Sequence, residues 1–392
     1  MSGSSDRRRA RPAAGSSVVG IRSLVAEHGT PLLIIDCDVI RRQYASLARA
    51  LPGVALYYAL KPLPLPAVVA ELCDLGACFD VATSGEMRLV RAQGVAADRC
   101  MHTHPIKRPE EIAAALRHGI RRFVVDNPDE IRKFTRHRKR AELLLRVSFR
   151  NPAAVVDLSR KFGCEPAAVP SLLDMAADLG ITVRGLSFHV GSQVADPGKY
   201  VEAIAACREL MADAAGRGIA GFDCLDIGGG FPVPYRQDTM PIRQFCQPIR
   251  RALSHLPRST RVIAEPGRFI AAPAGACVAA VTGRAQREGR WWYYLDDGLY
   301  GSFSGQLYDH ALYPLECIGG HGPRHASVLA GPTCDSIDVI REDVPLPELQ
   351  IGDLVVGRMM GAYTAASASD FNFIPRAKIV AIGQHARSRD AH

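Results

Sequence analysis

Short apolar runs alternate with longer amphipathic stretches along most of this chain. The runs at 55–59, 79–83, 99–103, 122–126, 143–149, 184–189, 224–227 and 261–264 have the length of buried strands. Between them, segments such as 65–75, 85–93, 108–118, 169–179 and 199–215 repeat alanine and leucine at helical spacing. Another strand is expected at Leu32–Ile35, ahead of this alternation. Eight strands with intervening helices over about 230 residues predict an α/β fold built on a TIM-like (β/α)8 barrel. A doubly wound open sheet is the runner-up, but it usually has fewer units and a glycine-rich turn after its first strand, which this chain lacks. After Ile270 the texture changes. Apolar runs at Cys277–Val281, Trp291–Leu295 and Ala326–Leu329 are separated by Gly, Pro and Asp turns, the pattern of a mostly β domain. The expected organisation is a disordered basic tail over 1–17, a strand from 18–36 that joins the β domain, a barrel over 37–270, and the β domain over 271–392.

Composition narrows the class. At 47% apolar and 22% charged residues the chain reads as globular. No stretch approaches the ~18 apolar residues of a membrane span, and the amino-terminal arginines have no apolar segment behind them, so no secretory signal is expected. The net charge of +8 comes partly from that tail and partly from Arg132 to Arg140. Neither run is interleaved with aromatics, so both read as solvated surface rather than as a nucleic-acid groove. Eleven cysteines show no CxxC pair and no zinc spacing. They predict reduced core thiols of a cytoplasmic protein with no bound metal. Cys334 is set apart, beside Asp335 in a glycine-flanked turn.

Barrel chemistry gathers at the carboxyl ends of the strands. The first strand ends on Lys61, before Pro62, which favours an extended backbone there. A strand-end lysine caps a solvent edge in most proteins. Its alternative role is to form an imine with an aldehyde, and an apolar neighbourhood lowers its pKa toward that use. The second strand carries Asp80, with Glu86 following. The fifth carries Arg146, the sixth leads into His189 and Ser192, the seventh into Gly228-Gly229-Gly230, and the eighth into Glu265, Gly267 and Arg268. The triple glycine is too short for a Walker loop, but its place after the seventh strand suits a phosphate. Arg268 could clamp the same phosphate and Ser192 could add a hydrogen bond. Glu265 could hold a pyridine nitrogen protonated, and His189 could stack on a cofactor face. Arg146 could pair with Asp80 or Glu86, or lie near a cofactor hydroxyl. In the β domain, Tyr308-Asp309-His310, Gly331 to Asp338 and Gly361-Ala362-Tyr363-Thr364 are polar turns. Asp309 and Asp335 could bind an ammonium group, and the Cys334 thiol could donate a proton.

Taken in order, Tyr58-Ala59-Leu60-Lys61, Phe79 to Glu86, His189-Val190-Gly191-Ser192, Gly228 to Pro232, Glu265-Pro266-Gly267-Arg268, Gly331 to Asp338 and Gly361 to Thr364 resemble one family. It is the alanine-racemase-like group of pyridoxal-phosphate enzymes (fold type III), in its ornithine/diaminopimelate/arginine decarboxylase branch. The resemblance runs from about residue 30 to about residue 380. It implies pyridoxal 5'-phosphate as cofactor and Lys61 as the lysine that bonds it. His189 would stack on the ring and Glu265 would meet its nitrogen. Gly228, Gly229, Gly230, Ser192, Arg268 and Tyr363 would hold the phosphate, beside Gly267, while Asp80, Glu86 and Arg146 tune the site. It also implies a head-to-tail homodimer in which the Cys334-Asp335 loop reaches the other copy's barrel and Cys334 protonates the α-carbon.

Leu307-Tyr308-Asp309-His310 and Cys334-Asp335 look like the ornithine-decarboxylating subgroup, with Tyr308, Asp309, Asp335 and Phe371 as substrate-binding residues. L-Ornithine is the expected substrate and L-lysine a second one. A diaminopimelate decarboxylase, a racemase and an inactive regulator of the same scaffold are the alternatives. Two departures bear on the pocket: His104-Pro105-Ile106-Lys107 replaces the family's Asn-Pro-x-Lys, and Phe373 stands where glycine is common.

Overall fold

The computed structural model describes residues 17–149, 160–219, 221–235 and 238–384. The amino-terminal arginines fall outside them. Sixteen strands are named here in chain order. β1 is Leu32–Asp36. The next eight are β2 (Ala55–Ala59), β3 (Cys78–Val81), β4 (Cys100–His102), β5 (Arg122–Val125), β6 (Glu142–Val147), β7 (Thr182–Phe188), β8 (Cys224–Asp226) and β9 (Arg261–Ala264). They form a closed parallel barrel in sequence order, with β9 paired back onto β2. The remaining strands are β10 (Gly275–Arg287), β11 (Arg290–Leu295), β12 (Leu315–Ile318), β13 (His321–Ala330), β14 (Val339–Glu348), β15 (Leu354–Arg358) and β16 (Lys378–Ile382). They make a second sheet in the order β12-β15-β10-β11-β13-β14, and β1 joins it between β10 and β16.

Side-chain parity explains how the barrel packs. Tyr57, Met101, Val124, Leu144, Cys224 and Ile263 form one buried cluster. They come from six different barrel strands and fill its interior. The neighbours of alternate parity, such as Tyr58, Phe79, Phe123 and Leu145, belong to the larger cluster under the helices. Gly185 lets β7 close on β8, since a Cβ there would sit 1.8 Å from the Cys224 carbonyl oxygen.

Three features differ from the sequence reading. Residues 18–36 are not all strand: Val18–His28 is a helix capped by Ser17 at its start and Gly29 at its end, and only Leu32–Asp36 enters the sheet. Helices Cys37–Ala50 and Ile242–Leu253 also went unread, and the surface helix expected at Arg132 to Arg140 begins earlier, as Pro128–Lys133. Finally, the His104 to Lys107 segment does not line the main cavity of the barrel. Lys107 is buried there, its Nζ donating to the carbonyls of His104 (2.9 Å), Pro105 (2.9 Å) and Val124 (2.6 Å) and lying 3.6 Å from Glu130. Burial pulls its pKa down to about 8. Lys107→Met leaves those carbonyls without their donor and is expected to cost about 3 kcal/mol in urea unfolding at neutral pH. Because the folded-state pKa is depressed, charging this lysine costs stability below about pH 8, and the cost lifts as pH rises toward the ordinary lysine range. The stability difference between wild type and variant should therefore widen over that window.

Candidate active site

The backbone parity that turns Ala55, Tyr57 and Ala59 inward carries on to Lys61, two residues past β2. Ala59 and Lys61 both line a cavity of ≈ 260 Å³ at the carboxyl ends of the strands. His189, Ser192, Gly229, Gly230, Glu265, Gly267 and Arg268 line it from the barrel, and Tyr308, Asp309, Tyr363 and Ser367 line it from the β domain. The turn after Lys61 is tied to that second domain, since Tyr363 N donates to the Pro62 carbonyl at 3.0 Å. Tyr363 takes a left-handed backbone (φ 56°), unusual for a tyrosine, where it meets the cavity.

The seventh strand leads into the glycine turn for a packing reason. Gly228 and Gly230 have φ of 67° and 105°. A Cβ on Gly228 would lie 2.4 Å from the Phe188 carbonyl oxygen, one on Gly229 2.6 Å from that of Glu265, and one on Gly230 2.3 Å from that of Gly191. The Gly229 and Gly230 carbonyls are taken by Tyr200 Oη (2.6 Å) and Val194 N (3.0 Å). Among the described residues no acceptor meets the Gly229 or Gly230 amides, which remain for an anion.

Arg268 stands beside this turn, largely buried. It donates to Tyr235 Oη (2.9 Å) and Ser192 Oγ (3.3 Å), ion-pairs with Asp309, and lies 4.7 Å from the Tyr363 ring centroid. Its Nε is buried with no partner among the described residues, and so is Glu265 Oε1. Orphaned donor, orphaned acceptor and glycine cradle in one cavity suit a ligand with an anionic group and a basic ring nitrogen. Pyridoxal phosphate has both.

The electrostatics correct one expectation. Lys61 is not held below the ordinary lysine pKa. Tyr363 raises it most, Asp80 and Glu265 also raise it, and burial and Arg146 oppose them less effectively. The amine is accessible to the cavity yet faces acidic groups. Burial pushes Glu265 and Asp80 well above the usual carboxyl range, and it pushes His189 well below the usual histidine range, with help from Arg146 and Lys61, so that ring is neutral. His189 Nδ1 accepts from Gly191 N at 3.1 Å. Arg146, whose partner was left open, is itself lowered by burial and is held mainly by Glu265, then Asp126, Asp226 and Asp80. Glu86 is not its partner, because that carboxylate accepts from Ala82 N at 2.5 Å near the start of its helix.

Asp80, Arg146 and Gly228 do not line the cavity, and three further expected residues form a group of their own. Cys334, Asp335 and Phe371 do not line the Lys61 cavity of their own chain. They form a second group: Phe371 stacks on Tyr300 with centroids 4.2 Å apart, Tyr300 Oη donates to Asp335 Oδ2 at 2.5 Å, and the Cys334 thiol lies 3.4 Å from Asn372 Oδ1. All eleven cysteines are free and Cys334 is the exposed one. Phe373 is 95% exposed with φ 56°, the left-handed backbone that glycine adopts most readily. The sequence reading missed Tyr235, Tyr300, Ser367 and Asp226. Only Asp226 carried a signal, since it stands two residues before the first glycine of the turn.

A site of this composition on a (β/α)8 barrel with a β domain defines a class, and the comparisons agree. Residues 37–272 match the family model "Pyridoxal-dependent decarboxylase, pyridoxal binding domain", and the chain belongs to that family. It is 55% identical to the lysine/ornithine decarboxylase of Vibrio vulnificus, whose crystal structure holds putrescine; the TM-score is 0.89, with 93% of this chain and 98% of that one covered. It is 38% identical over 353 residues to the lysine/ornithine decarboxylase of Selenomonas ruminantium, covering 90% of this chain and 89% of that protein. Antizyme inhibitor 2 of Xenopus laevis is also similar, at 36% identity over 86% of this chain and 78% of its own. No helix among the described residues is long and apolar enough to cross a membrane.

Proposed function

We propose that this chain decarboxylates L-ornithine and L-lysine with pyridoxal phosphate, releasing putrescine and cadaverine. The observation that carries this is the convergence of Lys61, Glu265, the glycine turn and Arg268 on one cavity that also contains the carboxylate of Asp309. When bound, pyridoxal phosphate supplies an electron sink for the charge left on the α-carbon. Lys61 is the amine that anchors it. The glycine turn, Ser192, Arg268 and Tyr363 would hold its phosphate, Glu265 would meet the ring nitrogen, and the neutral His189 would pack on the ring. Asp80 sustains the charge on Lys61.

A basic substrate needs an anion for its distal ammonium, and Asp309 is placed for it. Among the described lining residues the full cations are Lys61 and Arg268, and Arg268 is committed to Ser192, Tyr235 and Asp309. A second carboxylate at the substrate's far end, as in diaminopimelate, therefore has no cation of its own. One methylene in a pocket is worth about 1–3 kcal/mol, so ornithine and lysine are both expected to react.

Cys334 and Asp335 lie outside the cavity of their own chain. A head-to-tail homodimer brings them in from a second copy. Leu307, Tyr308, Ile337, Phe371 and Phe373 are exposed and give a second copy apolar surface to cover.

The test is carbon dioxide release from L-ornithine, L-lysine, L-arginine, meso-diaminopimelate and their D-forms with added cofactor. Turnover of the first two L-forms, at rates within about two orders of magnitude of each other, is expected. Release from meso-diaminopimelate alone, D-ornithine formation without release, or no reaction with any of them would each contradict the proposal.

A further inference from the structure

Asp226 and Glu265 end neighbouring barrel strands. β8 pairs with β9 so that Asp226 lies opposite Ile263, and Glu265 N donates to the Gly228 carbonyl at 2.8 Å. Gly228 N in turn donates to Asp226 Oδ1 at 2.9 Å. These backbone bonds set the two carboxyl groups beside each other, and each acts on the other's ionisation. Asp226 is fully buried, and among the described residues no donor reaches its Oδ2 or Glu265 Oε1. A hydrogen bond between two carboxyl groups needs a proton, and two buried carboxylates in contact do not both ionise. The charged groups facing the pair are Asp80 from β3, Arg146 from β6 and Lys61 beyond β2. Only Glu265 of the two lines the cavity.

We propose that Asp226 is a positioning residue that shares a single proton with Glu265, so that the negative charge rests on Glu265 whenever the cofactor's ring nitrogen is protonated. The inference rests on the reading that Glu265 meets that nitrogen. Burial alone favours a neutral Glu265, and a neutral acid is a poor partner for a protonated ring. Asp226 removes the difficulty by taking the proton itself. It then donates to Glu265, and the pair keeps one charge and one proton without water entering the barrel. Burial raises the pKa of Asp226 to about 6, and its hydrogen bond with Glu265 works against that rise while raising Glu265 further. Which carboxyl keeps the proton then depends on what Glu265 faces, since a positively charged ring draws the negative charge to it.

Asp226→Asn tests this, because the amide matches the carboxyl in shape, can accept from Gly228 N and can donate to Glu265. The infrared difference between wild type and variant at neutral pH is expected to show loss of a carboxylic-acid C=O stretch, and Glu265→Gln is expected to lose the same band. Cofactor affinity by equilibrium dialysis should stay within ~3-fold for Asp226→Asn and weaken at least ~10-fold for Asp226→Ala, so that the amide rescues. Loss of a carboxylate band instead of an acid band, or wild-type cofactor affinity in Asp226→Ala, would overturn the proposal. If Glu265→Gln leaves the visible spectrum of the bound cofactor unchanged, the fault lies with the assignment of Glu265 to the ring nitrogen, and the infrared result still reports on the shared proton.

Discussion

Lys61→Ala, supplied with pyridoxal phosphate, is expected to lose the visible absorbance of the lysine-bound cofactor and to release carbon dioxide on the order of 10³-fold more slowly or worse. Two features make the effect large. Lys61 is the lysine of the cavity, and the groups around it keep it there: Tyr363, Asp80 and Glu265 favour its charged form. A neighbour does not replace it: neither Lys107, which is locked by three backbone carbonyls, nor Lys161, which lies over the Phe162 ring, lines the cavity. The rest of the site should survive the change. The glycine turn and Arg268 are positioned by contacts that do not involve Lys61, so the variant should still bind the phosphate end. Absorbance spectra and a carbon dioxide assay read the two losses separately.

Mixing Lys61→Ala and Cys334→Ala chains after mild dissociation is expected to restore about a quarter of wild-type activity, although each variant alone is nearly inactive in forming the diamine. In a homodimer with shared sites, random pairing makes about half of the dimers mixed, and each mixed dimer has one intact site of two. Within one chain Cys334 sits by Asn372, next to the Tyr300–Asp335–Phe371 group, and none of these residues lines the Lys61 cavity. An exposed thiol beside exposed aromatics is suited to enter another copy's cavity. Activity of the mixture no higher than that of the better single variant would count against shared sites.

The strand ends were legible because barrel strands are short and apolar and stop at polar or glycine residues. β2 and β9 were read at their exact limits, and Lys61, His189, Glu265 and Arg268 followed from position alone. Helix Val18–His28 was missed even though Ser17 and Gly29 mark both its ends, because its apolar positions are too scattered for a clear face. Asp226 was visible just ahead of the glycine turn, but its role was not. Its importance depends on how closely β8 and β9 approach when the barrel closes, which no local pattern encodes. The charge state of Lys61 was misjudged in the same way: the strand before it is apolar, but the groups across the cavity, from four other segments, decide its pKa. Phe373 shows the converse. The sequence marked it as out of place, and the backbone bears this out with a left-handed conformation, yet it points to solvent and not into its own cavity.

Lys61 is the expected point of covalent attachment. Reduction of the cofactor-loaded protein with borohydride, followed by peptide mass spectrometry, tests it directly. The prediction is one phosphopyridoxyl group per chain, on the peptide that contains Lys61. A protein left unlabelled, or labelled on Lys107 with Lys61 unmodified, would contradict it.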